Sequence, residues 1–388
     1  MASTVTSTES WFSRIGSSVK GIFAGIVLFV AGFPVLFWNE GRAVDTAKAI
    51  DEGEGECISL ESPAAIDPAM NGKLVHLTGK ADTADILADG EFGVSVKAIS
   101  LERKVEMFQW VEESSTSEKK NLGGSVTKTT TYSYKKDWCE SAVDSGSFHE
   151  SGHDNPPAME FESSKTLASN VSFGAFRLGE RDIARIGSGQ TYVFPTNFVC
   201  KIDRAKIHGS MIYVPEAKTR SNPLNNRDVV TQPRVGDMRV SFRVVYPHEI
   251  SIVAKQHGDT FVAYTAKNGK KLSYLADGVE DAASMFASAR TGNKIATWFF
   301  RIIGFLMMNI GLGMVLKPLS VLADVLPILG DIVGIGTGLV SFVVSIACAL
   351  ATVAVAWLFY RPVLAIVLLA AAAGMFILIA KKRKPASA

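Results

Sequence analysis

Four long apolar stretches stand out from an otherwise mixed chain. They cover residues 21–38, 295–316, 332–360 and 363–380, and only the second contains a charged residue, Arg301. Each stretch is long enough, as a helix rising about 1.5 Å per residue, to cross roughly 30 Å of hydrocarbon. The pattern therefore predicts a membrane protein with four transmembrane α-helices, one N-terminal and three C-terminal.

The polar region between the first two stretches, residues 39–278, has a different periodicity. Asp237–Tyr246 and Ile99–Val111 alternate between apolar and polar residues, which is the period of a half-buried strand. Shorter strands are predicted at Leu74–Thr78, Thr129–Tyr134, Ile250–Ala254, Phe261–Thr265 and Leu272–Leu275. The polar residues 113–127 and 144–157 are predicted to be surface loops. The sequence thus predicts a large β-rich α+β extramembrane domain.

Four further segments complete the predicted organisation. A juxtamembrane amphipathic helix is predicted at residues 279–294, because Asp277 and Glu280 have the spacing of a capping box. The other three are a cytoplasmic N-terminal segment at 1–20, an interfacial or re-entrant segment at 317–331, and a basic cytoplasmic tail at 381–388.

Charge bears on orientation more than on partners. The formal net charge of +2 gives no argument for nucleic-acid binding. Basic residues near the span ends are in excess on the side of the two termini, which predicts that both termini are cytoplasmic and that the domain is lumenal or periplasmic. Four cysteines are too few for a disulfide framework, and pairing among Cys57, Cys139 and Cys200 stays open.

Small residues recur at helical spacing within the predicted spans. Glycines every four residues form a groove without side chains, where the backbones of two helices can approach closely. The predicted packing glycines are Gly330, Gly334 and Gly338 of the third span, Gly21 and Gly25 of the first, and Gly304 and Gly311 of the second. Packing within one chain and packing between chains both stay open.

Polar residues within or beside the spans are the candidates for function. Arg301 lies about 10 Å from the outer end of its span, where a long side chain can either reach the interface beside Trp298 or fill a buried role. Asn309, nearer the middle of the span, is predicted to hydrogen-bond to a neighbouring helix. Ser320, Asp324 and Asp331 form a polar stripe, which either lines a cation or proton path or turns towards water.

Residues that would indicate an enzyme are missing from the pattern. His149 and His153 with Asp154 have a loose spacing in a polar segment, which favours a solvated loop over a metal site. The domain offers no convergent set of nucleophile, base and metal ligands. We therefore predict no catalytic residues, no metal and no cofactor.

Several stretches of the chain resemble one known family. They are Asn39-Glu40-Gly41-Arg42, the ten residues Leu101 to Trp110, the six residues Gln232 to Asp237, and the block from Thr297-Trp298 through Pro318 to Asp331. Together with the layout of one span, a large domain and further spans, they resemble the LUMA family, also called transmembrane protein 43. The resemblance extends over nearly the whole chain.

The resemblance implies a non-enzymatic protein of the endoplasmic reticulum and inner nuclear membrane, or of the inner membrane if the source is bacterial. Members self-associate and contact envelope proteins, so lipids and further copies of the chain are the expected partners. The sequence-based hypothesis is a multi-pass scaffold that self-associates and binds partners through its domain. The alternatives are an ion channel or transporter that uses Asp324 and Asp331, and a membrane-tethered enzyme.

Overall fold

A computed structural model describes residues 3–216, 228–363 and 366–367. Three of the described helices are long and apolar enough to cross a membrane, one N-terminal and two C-terminal. The helices are α1 (Trp11–Glu56), the short α2 (Glu180–Ile183), α3 (Ala282–Ala323) and α4 (Pro327–Tyr360). Nearly all of the predicted fourth span, residues 363–380, and all of the tail at 381–388 lie outside the described residues.

The long helices pass through the predicted segment boundaries without a break. α1 has 46 residues, so at 1.5 Å per residue it is about 70 Å long, and residues 39–56 are helical rather than part of the β-rich domain. The predicted juxtamembrane helix is the first part of α3. The residue that caps α3 is not Asp277 but Asp281, whose carboxylate accepts a hydrogen bond from the Ser284 amide (2.6 Å).

The predicted interfacial segment at 317–331 is likewise not a separate element. α3 continues to Ala323, a tight turn follows, and α4 begins at Pro327. Proline is favoured in the first turn of a helix, because the amide hydrogen it lacks would have no partner there. The segment is therefore a helical hairpin connection.

Two antiparallel sheets form most of the domain, with strands numbered in chain order. The first sheet has the order β1 (Ser3–Glu9), β7 (Val126–Cys139), β6 (Ser100–Lys120), β14 (Met238–Val245), β13 (Met211–Val214) and β12 (Lys206–His208), with β8 (Ser164–Leu167) beside β6 and β11 (Gln190–Thr191) beside β14. The second has the order β10 (Phe176–Arg177), β9 (Val171–Phe173), β3 (Leu74–Thr83), β15 (His248–His257) and β16 (Thr260–Val262), with β2 (Ile58–Ser59) parallel to β3 and β19 (Tyr274–Asp277) beside β15. Two small hairpins are β4 (Ile86–Asp89) with β5 (Val94–Lys97), and β17 (Tyr264–Thr265) with β18 (Lys271–Leu272).

The main hydrophobic core contains residues from both sheets. Val105, Phe173, Phe242 and Ile252 are fully buried in it. The predicted alternation in Asp237–Tyr246 is confirmed, because its apolar residues from Met238 to Val244 are buried, although Tyr246 lies beyond the end of β14 and is exposed. All four cysteines are free thiols.

We expect Val105→Asp to destabilise the domain by about 4 kcal/mol, because it buries an unpaired carboxylate in the core. Val105 is fully buried and opposite Val240 in the neighbouring strand. Glu106 points to the other face, where Arg239 Nε donates to its carboxylate (2.6 Å). Glu106→Gln is the control and should cost about 1 kcal/mol or less. Thermal unfolding of the purified variants measures both, and equal losses would contradict the assigned faces.

The prediction of a surface loop at residues 113–127 is wrong, because most of these residues form strands. β6 and β7 form a long hairpin that turns at Asn121–Ser125, where Gly123 and Gly124 have φ of +84° and +80°. Residues 3–9 add a third strand along β7. We call β1 and the distal halves of β6 and β7 (112–120 and 126–134) the polar ribbon. Both of its faces are polar, so no alternation reveals it, whereas its Thr and Tyr residues do favour strands.

The domain packs directly onto the ends of α1 and α3. A separate buried cluster joins Ile50 of α1 and Met285 and Phe286 of α3 to Leu74 and Val253 of the second sheet. These contacts fix the domain to the two helices about ten to twelve residues beyond their apolar stretches.

Candidate functional site

The most buried charged group in the helical region is the carboxylate of Glu40. Glu40 is 0% exposed. Arg301 of α3 donates from Nε to Oε1 (2.7 Å) and from Nη2 to Oε2 (2.9 Å), and Trp357 Nε1 of α4 donates to Oε2 (2.8 Å). One carboxylate thus joins all three long helices.

A second set of hydrogen bonds lies beside it and links α1 to α3. Asn39 Nδ2 donates to the Thr297 carbonyl (2.9 Å), and Arg42 Nη2 donates to Asn39 Oδ1 (3.0 Å) and to Thr297 Oγ1 (3.1 Å). Arg42 Nη1 also reaches Asn293 Oδ1 (3.2 Å). We call these residues, with Glu40, Arg301 and Trp357, the buried charge cluster.

The cluster gives each residue of Asn39-Glu40-Gly41-Arg42 a role in the structure. Gly41 has no side chain because a Cβ there would lie 2.7 Å from the Tyr360 ring. Both oxygens of Glu40 accept charge-assisted or indole hydrogen bonds. The arrangement therefore holds α1, α3 and α4 together by hydrogen bonds to one buried carboxylate.

Arg301 contacts both a tryptophan and a buried carboxylate, and the choice between its two predicted roles stays a prediction. Its side chain is 20% exposed, and its guanidinium lies 5.0 Å from the centre of the Trp298 ring. Its hydrogen-bond partner, however, is the fully buried Glu40. The amide oxygen of Asn309 is buried and accepts no hydrogen bond from any described residue, so the predicted bond to a neighbouring helix is not seen among them.

The predicted polar stripe forms a second cluster at the opposite ends of the helices. Asp324 is 1% exposed and pairs with Arg14 of α1 and with Lys120 at the tip of the polar ribbon (2.7 Å). Lys120 also reaches Asp331 (2.8 Å), while Ser320 Oγ donates to the Gly330 carbonyl (3.1 Å). Burial raises the pKa of Asp324, but the hydrogen bonds from Lys120 and Arg14 outweigh burial and leave the pKa below its ordinary value.

This second cluster bears on the predicted sidedness. β1 pairs with β7, and Lys120 contacts Asp324. As long as both contacts persist, residues 3–9, the domain and the α3–α4 turn must lie on the same side of a bilayer. The predicted arrangement instead puts the domain on one side of the bilayer, and residues 3–9 and the α3–α4 turn on the other side. Polar strands with open edges are not stable in lipid, because lipid offers their backbone groups no hydrogen bonds. The ribbon contact and the predicted sidedness therefore exclude each other within one state.

We expect the β6–β7 hairpin of the ribbon to separate from β1 and from the helices when α1, α3 and α4 span a bilayer, so that sidedness follows the basic residues. In intact membranes whose lumenal or periplasmic face is accessible from outside, a membrane-impermeant thiol reagent should then label Glu118→Cys and spare Ser387→Cys. The pair Lys120→Cys and Asp331→Cys should stay unlinked under oxidation. A disulfide between these two positions in the bilayer would mean that the predicted sidedness is wrong.

Two predicted packing glycines mark the closest approach of α1 and α3. A Cβ on Gly311 would lie 2.5 Å from the Phe29 amide nitrogen and 2.6 Å from the Gly25 carbonyl oxygen. Seven residues away on each helix, a Cβ on Gly304 would meet the Leu36 side chain, and one on Gly32 would meet Met308. Gly32 was not predicted. Among the described residues, only Met314 would lie near a Cβ on Gly21, at 3.9 Å.

The three predicted packing glycines of α4 do not pack against another helix in the same way. A Cβ on Gly330 would collide with Asp324, and one on Gly334 would lie 3.1 Å from Ser320 Oγ. A Cβ on Gly338 would meet no described atom within 4 Å. Packing of this groove between chains stays a prediction.

The histidines of the predicted surface loop stack on tyrosines of β7. His149 lies 4.3 Å from Tyr132 and His153 lies 3.9 Å from Tyr134, measured between ring centres. Within residues 3–216, 228–363 and 366–367, no group of three or more His, Cys, Asp and Glu residues is placed to hold a metal ion.

Comparison with known proteins identifies the family. The family model described as Transmembrane protein 43 matches residues 107–362. Transmembrane protein 43 of Mus musculus is 34% identical over 391 residues, which cover 97% of this chain and 93% of the relative. The Homo sapiens protein is 33% identical over 396 residues (98% and 94%), and the Drosophila melanogaster homolog is 29% identical over 367 residues (91% and 92%). No solved structure matches the chain.

The family match includes most of the domain and the helices that carry the buried charge cluster from α3 and α4. The full-length relatives extend the likeness to α1, which supplies Glu40. The chain therefore belongs to the transmembrane protein 43 family and is an integral membrane protein with a large β-rich domain.

Proposed function

We propose that this protein is a membrane scaffold, which holds its β-rich domain in a fixed position on the membrane helices and self-associates. Binding of other membrane proteins through the domain is part of the proposal. The family is named as a membrane protein and not for a reaction, which fits a role without catalysis.

The observation that carries the proposal is the continuity of α1 and α3. Both helices run unbroken from the apolar stretches into the domain. Ile50 of α1 and Phe286 of α3 pack there in the buried cluster with the second sheet. The buried charge cluster joins the same two helices to α4 at Glu40, which lies ten residues before Ile50 on α1. A domain that were merely tethered would need a flexible linker, and instead two rigid helices support it.

The alternative of a channel or transporter receives no such support. Its argument rests on Asp324 and Asp331 as free acidic groups along a path. Instead, Arg14 of α1 pairs with the buried carboxylate of Asp324, and this ion pair does not depend on the polar ribbon. We therefore do not carry conduction forward as a second function.

The groove on α4 offers the route to self-association. Gly338 faces open space within the described chain, and the apolar residue Ile335, one turn before it on the same face, is exposed. In lipid, helices gain little from hydrophobic burial, and close approach through small residues favours their association. A second copy of α4 fits that surface.

We expect Gly338→Leu to weaken self-association by roughly tenfold or more, because a large side chain fills the groove. Energy transfer between donor- and acceptor-labelled protein in liposomes, measured as a function of dilution into lipid, gives the dissociation constant. Gly338 is a cleaner choice than Gly334, which faces Ser320 within the chain.

Leu339→Ala, off the groove on the same helix, is the matched control and should change the constant little. If Gly338→Leu associates as the parent does, the groove is not an interface. If the parent protein is monomeric in liposomes at all densities, the proposed scaffold role fails with it.

A further inference from the structure

A cavity of about 390 Å³ lies between α1, α3 and the end of α4, where the apolar stretches meet the domain. Its size falls within the range of about 300–1,000 Å³ typical of small-molecule sites. Four cationic residues line it, Arg290, Lys294, Arg301 and Arg361, against one acidic residue, Asp51. The wall therefore favours an anion.

Two of these four cations are already neutralised within the chain. Arg301 is bound to Glu40, and Arg290 donates to Asp51 and to Glu54, hydrogen bonds that raise the pKa of Arg290 above its ordinary value. Lys294 and Arg361 are different, because neither forms an ion pair with any residue in the described part of the chain. They supply two positive charges at one cavity without a counter-ion.

The position of the cavity along the helices indicates its depth in the membrane. Lys294 precedes the apolar stretch of α3 by one residue, and Arg361 directly follows the last residue of α4. Trp298 and Trp357 also line the cavity, and tryptophan is enriched at the level of the lipid headgroups. The two free cations thus lie where the phosphates of one leaflet lie.

An apolar strip leads from the cavity towards the hydrocarbon. Ile295, Trp298 and Ile302 recur along one face of α3 and are 66%, 62% and 54% exposed. A phosphate held between Lys294 and Arg361 would place attached acyl chains along this strip. A free phosphate would make no use of it.

We infer that this cavity binds the phosphate of an anionic phospholipid headgroup through Lys294 and Arg361. Basic pockets between transmembrane helices are a recognised way to hold such headgroups, and the planar guanidinium of arginine matches two phosphate oxygens. The inference stands apart from self-association, because every residue that it uses belongs to one chain. Bound lipid would fill the space between α1, α3 and the end of α4, next to the domain.

The test compares lipid binding by the parent and by Lys294→Gln/Arg361→Gln. Native mass spectrometry of the full chain, titrated with phosphatidylglycerol or phosphatidylcholine, reports the bound fraction of each lipid. We expect the parent to prefer phosphatidylglycerol, and the double variant to bind it roughly tenfold to thirtyfold more weakly. Neither residue has an ion-pair partner among the described residues, so thermal unfolding of the lipid-free protein should be unchanged.

Lys317→Gln is the matched control, since it removes one exposed charge from the opposite end of the same helix. It should bind phosphatidylglycerol as the parent does. Equal loss in this control, or none in the double variant, overturns the inference, because binding would then reflect overall charge or another site. Inorganic phosphate at millimolar concentration separates the two sources: displacement of the lipid by phosphate alone would overturn the role of the acyl strip, and failure to displace it supports a lipid ligand.

Discussion

Replacing Glu40 with alanine is expected to lower the free energy of unfolding by about 3 kcal/mol, because it leaves the Arg301 guanidinium without its carboxylate. The general range for such a loss is about 3–5 kcal/mol, and we take the lower end because Arg301 can turn partly towards the interface. Trp357 Nε1 also loses its acceptor. Unfolding of the purified protein in lipid-containing detergent, followed by thermal denaturation, measures the change.

A double-mutant cycle separates the ion pair from general packing. Glu40→Leu with Arg301→Met removes both charges and keeps apolar volume, so it should be clearly more stable than either single variant. Additive losses in the cycle would show that Glu40 and Arg301 do not act as a pair.

The sequence predicts the core strands because burial of one face leaves a periodic trace, as in the alternation of Met238 to Val244. It predicts the long helices because their apolar stretches are hydrophobic on every side and long enough to cross a membrane. The helix ends were misplaced because α1 and α3 do not stop where hydrophobicity stops. Residues 39–56 stay helical by packing against the domain, and no local signal marks that contact.

The polar ribbon leaves no such trace in the sequence, for a related reason. Its strands are held by backbone pairing and by cross-strand contacts such as that between the Thr116 and Thr130 hydroxyls (3.0 Å), not by a buried face. A pattern based on hydrophobicity cannot reveal such strands. The run of β-branched residues at 129–131 and the adjacent Gly123 and Gly124 are the signals that remain in the sequence.

The charged residues of the helices show that the sequence can point to an unusual residue without revealing its ion-pair partner. Arg301 was singled out because it is the charge within a span, but its partner Glu40 is 261 positions away in the chain. The clue to the pairing is that both residues lie near the same end of their predicted spans. For Asp324 the partners are Arg14 and Lys120, and the second of these depends on the ribbon that the pattern did not reveal.

Gly311→Ala is expected to lower the free energy of unfolding by about 1–3 kcal/mol, although alanine favours helix more than glycine does. The new Cβ would lie 2.5 Å from the Phe29 amide nitrogen and 2.9 Å from the Phe29 Cα. These are backbone atoms, so α1 and α3 must separate to admit even a methyl group. Separation weakens the contacts at the Gly32–Gly304 crossing as well. Thermal unfolding in detergent, together with disulfide trapping of cysteine pairs across α1 and α3, measures both effects.

Gly313→Ala provides a control on the same helix with the same chemical change. Its Cβ would have only Ser341 Oγ nearby, at 3.9 Å, which is ordinary contact. Alanine there should be neutral, or stabilising by up to about 1 kcal/mol through helix propensity. Gly25→Ala, which meets the Gly311 carbonyl from the other side at 2.6 Å, should destabilise like Gly311→Ala, and the two should not add, because one separation of the helices relieves both collisions. Equal stability of the Gly311→Ala and Gly313→Ala variants would mean that the close crossing of α1 and α3 is not what holds the helices together.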